Sequence, residues 1–148
     1  MSTAIDDIKA QIQTIALTVT GIGNVYLSLP HVTKWDEVLE KFKSDDKLKV
    51  LLIQWTSRKP KYEDESGALD QDELKWTLNY IYSYQENVSE PAFDNLLLGL
   101  IAALEASATF SGKIISHTNI TMNKSGEGYR MVCNVLCHFA ELTFETIQ

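Results

Sequence analysis

Between Leu74 and Tyr84, every second residue is large and apolar or aromatic: Leu74, Trp76, Leu78, Tyr80, Tyr82 and Tyr84. The residues between them, Lys75, Thr77, Asn79 and Ser83, are polar, and only Ile81 breaks the alternation. A period of two is the pleat of a β-strand, in which successive side chains leave opposite faces. The stretch 73–85 therefore predicts a strand with one apolar face. Such a face is stable only when a second apolar layer covers it.

The covering layer is legible on both sides of that strand. Over 89–107, Phe93, Leu96, Leu97, Leu100, Ile101 and Leu104 recur at spacings of three and four, widened by Leu98, Ala102, Ala103 and Ala106. That period predicts a helix with much of its girth buried. Ser89 can cap it, and Pro91 suits a first turn. A second amphipathic helix is predicted over 3–19 from Ile5, Ile8, Ile12, Ile15 and Val19. Thr3 with Asp6 resembles its capping box, and Gly21-Ile22-Gly23 stops it.

The other predicted elements are shorter or less regular. A strand over 24–29 is followed by a short helix from Thr33, with Trp35, Val38, Leu39 and Phe42 on one face. The stretch 47–56, centred on Val50-Leu51-Leu52-Ile53, reads as a strand covered on both faces. Residues 57–72 are polar, contain Pro60 and Gly67 and lack periodicity, which predicts a long, mobile loop. Strands are expected over 113–122 and 129–147, joined by the glycine-bearing turn 123–128. The last strand changes phase: Met131, Cys133, Val135, Cys137 and Phe139 share one parity, and Ala140, Leu142 and Phe144 the other. A bulge near 138–140, or cover on both faces, would reconcile them. The sum is a single α+β domain over 1–148, an antiparallel or mixed sheet of about four to five strands with helices packed on it.

Length and composition agree. The chain has 148 residues, of which 45% are hydrophobic, enough for one buried core. Its net charge of −7 argues against general nucleic-acid binding, because neutralising phosphates needs Lys and Arg. No membrane span and no signal-peptide layout is seen, so a cytoplasmic site of synthesis is expected. Cys133 and Cys137, four residues apart in one expected strand, would lie about 13 Å from each other. A disulfide needs Cα atoms within about 7 Å, so no bridge is expected between them.

The search for chemistry returns little. Cys133, Cys137 and His138 are too few for zinc, with His31 and His117 remote in sequence. Adjacent Cys137 and His138 on a strand point to opposite faces and cannot pair as nucleophile and base. Gly21-Ile22-Gly23 and Gly126-Glu127-Gly128 read as turns, not phosphate loops. No catalytic, metal-binding or cofactor-binding residue is assigned, and no cofactor is expected. Two stretches suggest contacts instead. Trp55, Arg58, Lys59, Lys61 and Tyr62 combine aromatic and cationic groups, as interface hot spots do. Glu63, Asp64 and Glu65 form an acidic run in the expected loop.

Several segments, in order, resemble those of phage tail-terminator and minor tail proteins. The most specific is 132–142, Val-Cys-Asn-Val-Leu-Cys-His-Phe-Ala-Glu-Leu. Gly-Ile-Gly-Asn-Val-Tyr over 21–26, Trp35 at the head of the second helix, the turn at 56–59 and the tyrosine-rich strand before a long helix add to it. The resemblance implies an α+β subunit that forms a six-fold ring on the tail tube, stops its polymerisation and offers the surface that joins tail to head. Implied partners are further copies of the chain, the tail tube protein and a head-completion or connector protein. DNA would only pass through, and no membrane is involved. Such a subunit would be assembled in the host bacterial cytoplasm and reside in the virion tail. No catalytic residues come with the resemblance. The acidic run Glu63–Glu65 departs from it, and would line the lumen or remain in the loop. A small cytoplasmic adaptor, or a head-completion protein of similar fold, fits the same residues.

Overall fold

The computed structural model describes residues 2–27, 43–44, 47–62, 69–84, 89–114, 116–124, 129–132 and 135–147. Two described helices, α1 (Ser2–Leu17) and α2 (Ser89–Ala106), pack on a mixed sheet. Its long strands are β3 (Lys47–Tyr62), β4 (Leu69–Ser83) and β8 (Val135–Ile147). Shorter ones are β1 (Asn24–Tyr26), β2 (Lys43–Ser44), β5 (Ser116–His117), β6 (Thr121–Asn123) and β7 (Tyr129–Val132). The sheet runs β1-β3-β4-β8-β5, with β2 added to β3, and β6 and β7 added to β8. Only β1 against β3 is parallel; the other pairings are antiparallel. The expected α+β class holds.

The alternating strand is central, and its register explains the core. Leu51, Tyr80 and Ala140 form one cross-strand row, and Ile53, Leu78 and Leu142 the next. All six are buried and face the helices, where Phe93, Leu97, Leu100 and Leu104 of α2 and Ile8, Ile12 and Ala16 of α1 meet them. Trp76 is fully buried and its Nε1–H donates to Thr146 Oγ1 at 2.9 Å. The Tyr80 hydroxyl donates to the Ile22 carbonyl at 2.9 Å, tying the end of α1 to mid-sheet. Burial, and secondarily Tyr82, raises the Tyr80 pKa, so the phenol stays a donor.

Ile81, the residue that broke the alternation, lies on the opposite face. It makes a row with Val50 and Phe139, and these join Cys137 in a second apolar cluster, with Tyr26 and Leu52 against it. Both faces of β8 are thus covered between Cys137 and Ala140, all four residues being buried. That accounts for the phase change. The register of β4 with β8 runs unbroken through it, so no bulge is present.

Several expectations are corrected. The stretch 129–147 is not one strand: β7 folds back on β8, with Tyr129 opposite His138 and Val132 opposite Val135, only three positions on in sequence. The strand expected over 113–122 is two fragments, separated by the irregular stretch 118–120, and its expected start falls in a turn, 108–113, in which Phe110 and Ser111 take left-handed backbone (φ 45 and 57). Helix α1 begins at Ser2, so Thr3 is inside it and its first turn carries no acid. The long, mobile loop expected over 57–72 is strand at both ends, in β3 and β4. Polar composition hid that ribbon, since neither of its faces supplies an apolar period. The acidic run Glu63, Asp64, Glu65 and the short helix expected from Thr33 lie outside the described residues.

Gly23 shows how closely the layers approach. It takes φ +91, and a Cβ there would sit 2.5 Å from Lys49 Cβ and 2.8 Å from Lys49 O. A side chain would both strain the backbone and push β1 away from β3, where Asn24 begins the parallel register opposite Val50.

Candidate functional site

The β3–β4 hairpin outruns the sheet. The last β4 residue paired with β8 is Glu73, opposite Ile147. Beyond it, β4 pairs only with β3: Pro60 with Asp72, Lys61 with Gln71 and Tyr62 with Leu69. These four β4 residues, 69–72, extend a two-stranded arm about 13 Å past the body. On its other side β3 pairs with β1 only at Val50–Leu52, so its edge from Ile53 outward has no partner strand among the described residues. Register shifts at Trp55/Ser57 and Lys61/Tyr62 mark irregularities along the arm.

The structure gathers the sequence-derived contact residues on this element. Trp55 is 40% exposed, and its Nε1–H donates to the Ser57 carbonyl at 2.8 Å, which holds the indole at the surface. Arg58 pairs across the ribbon with Asp72, Nη2 to Oδ1 at 2.8 Å. Lys59 is exposed and lies opposite Glu73. Lys61 and Tyr62 follow on the same strand. Below Lys59, a small recess of about 110 Å³ is bounded by Ser57, Glu73, Lys75 and Glu145. It continues, through Lys75 and Glu145, into an open polar groove of about 470 Å³ along Thr118, Thr121 and Thr143. The outer sheet face is correspondingly polar: Gln54, Thr77, Thr143 and Thr121 form one row across four strands.

Among the described residues, no three of His, Cys, Asp and Glu come together as a metal would require. Cys137 is a buried free thiol in the second cluster, whereas His138 points into the main side. The two therefore diverge. His138 has a partner that sequence reasoning missed, Ser89, whose Oγ lies 2.7 Å from its Nε2. Both are buried, and the imidazole stacks on Phe93 (centroids 5.0 Å apart) with Tyr129 at 5.1 Å and Tyr84 at 5.6 Å. Burial, the largest cause, and Lys124 hold its pKa below the usual imidazole value, against the opposing pull of Glu90 and Asp94. The Ser–His contact, packed among aromatic rings, joins the start of α2 to β8. Ser89 is separated from His138 by 49 positions, and no local spacing signals such a pair.

No protein-family model matches the chain, and no curated protein matches it in sequence. No helix among the described residues is long and apolar enough to cross a membrane.

Proposed function

We propose that this protein is a structural subunit of a phage tail: the terminator that caps the tail tube as a six-fold ring, stops its growth and presents the head-joining surface. The observation that carries this reading is the β3–β4 hairpin, which runs past the last β4–β8 pair, with Trp55, Arg58 and Lys59 exposed near its base and a β3 edge that has no partner strand from Ile53 outward among the described residues. An isolated two-stranded ribbon is marginal in water, so such an arm gains its stability from a surface it docks on. The body behind it is filled by side chains, and the Cys–His and Ser–His neighbours are arranged for packing rather than turnover. The segment resemblance points the same way. A net charge of −7 suits a channel that DNA traverses without sticking. The partners in this reading are further copies of the chain, the tail tube protein and a head-completion or connector protein, in a virion tail built in the bacterial cytoplasm.

A head-completion subunit of similar fold, or a small adaptor using the arm, would present the same surface. The test is addition of the purified protein to its own phage's tube protein during polymerisation. Capped tubes with six-fold end density in electron micrographs are expected. Tubes of unchanged length with bare ends would remove the terminator reading, and a stable monomer that binds a cytoplasmic protein would favour the adaptor.

A further inference from the structure

The geometry points to a pH-sensitive clasp at the N-terminal end of α2: Lys124, just after β6, and Tyr129, at the head of β7, close over neutral His138, and a proton on that imidazole releases them. Both halves of the clasp make defined contacts. Lys124 Nζ pairs with Asp94 Oδ1 and sits over the Phe93 ring, 5.5 Å from its centroid. The Tyr129 ring lies 5.1 Å from the imidazole and meets Tyr84 edge-on at 5.9 Å. Beneath them, His138 is 3% exposed, stacks on Phe93 at 5.0 Å and has Ser89 Oγ 2.7 Å from its Nε2. Tyr82 closes the surround from β4, its centroid 6.5 Å away. Tyr129 is also opposite His138 in the ladder, so freeing its ring unpairs the start of β7. The other end of β7 is tied to β8 by the reversal at Val132 and Val135, so Tyr129 is the end that can peel away.

The surroundings decide which protonation state the closed clasp holds. The groups facing the imidazole are Glu90 and Asp94 from α2, Lys124 from beyond β6, Tyr82 and Tyr84 from β4 and just past it, and Tyr129 from β7. Burial is the largest influence and disfavours the charged ring; Glu90 and Asp94 favour it, and Lys124 disfavours it. Asp94 is already engaged by Lys124, and the balance keeps the closed imidazole neutral at ordinary pH. The first turn of α2 presents N–H groups of positive partial charge, which an added cation also meets unfavourably. Neutral Nε2 can accept the Ser89 hydroxyl proton, whereas an imidazolium can only donate. Opening removes the burial and the nearby cation together, so the open form takes its proton at the ordinary value of about 6.5. Below that pH the open form gains by up to about tenfold per unit, until the closed ring itself titrates. The device lies within one chain and works with or without a ring.

The test is amide hydrogen exchange of the full chain at a series of pH values from neutral to mildly acid, corrected for the intrinsic pH dependence of exchange, with the His138 ring protons followed by NMR. Protection of the β7 amides, Tyr129–Val132, should fall by up to about tenfold per pH unit below about 6.5, while the Val50–Ile53 amides of β3 stay protected. His138→Gln, which can still bond Ser89 but does not titrate, should keep β7 protected throughout. His138→Phe, which keeps a ring against Phe93, should do the same and serves if the glutamine variant does not fold. Protection of β7 that is unchanged while the His138 signals titrate overturns the clasp. A simultaneous loss at Val50–Ile53 overturns it too, because that is global unfolding. The same pH dependence in the His138 variants would assign it to Asp94 or Glu90 and overturn it equally.

Discussion

One hairpin, β3–β4, is held in two different ways along its length. In the body, Val50–Ile53 lie against Leu78–Ile81 with apolar layers on both faces. Farther out, the same two strands carry on with Arg58 reaching across to Asp72, and without β8 beyond Glu73. The backbone ladder is common to both, so the difference isolates what burial adds. Ladder bonds give the hairpin its shape, and desolvated side chains give it most of its stability.

The largest effect should come from emptying the body. Trp76→Ala removes a fully buried indole and strands Thr146 Oγ1, and should cost about 3–5 kcal/mol in urea unfolding. A cost near zero would mean the body is no better packed than the arm. Next comes the joint between α1 and the sheet: Gly23→Ala meets both left-handed strain and the Lys49 backbone, and should cost about 2 kcal/mol or more. Smaller is a pH effect confined to the body. His138 binds its proton less readily folded than unfolded, so its contribution is complete above the model-peptide value near 6.5 and is lost as pH falls from there through the lower folded value. Thermal unfolding of the wild type should show that loss between neutral and mildly acid pH, and His138→Phe should lack it. Smallest is the arm: Arg58→Ala should change stability by no more than about 0.5 kcal/mol, because the pair is partly solvated. A multi-kilocalorie loss there would erase the contrast between the two halves.

Sequence reasoning succeeded where a single period ruled. The alternation over 73–85 became β4, and the apolar stripe over 89–107 became α2 within a residue. It failed where pattern is absent or doubled. The arm has no apolar face, so its strands read as loop. In β8, cover on both faces buried both parities and blurred the signal; the reversal before it, between Val132 and Val135, has neither glycine nor proline to mark it. For the site, residue types singled out Trp55, Arg58 and Lys59 as candidate contacts, and all three are exposed, because aromatic and cationic residues in a polar run have no core to enter. Their arrangement on a ribbon edge, and the Ser89–His138 contact, depend on pairings between distant segments that no local window contains.

The order of the sheet also has a consequence for how the chain is made. β8 is the latest of the described strands to leave the ribosome, yet it lies between β4 on one side and β5, β6 and β7 on the other. Until residues near 147 emerge, the edge of β4 that β8 will occupy is bare, and Trp76, Leu78 and Tyr80 lack their cross-strand neighbours. Nascent chains should therefore remain sticky and protease-sensitive until β8 has emerged, and acquire protection in one step when it docks.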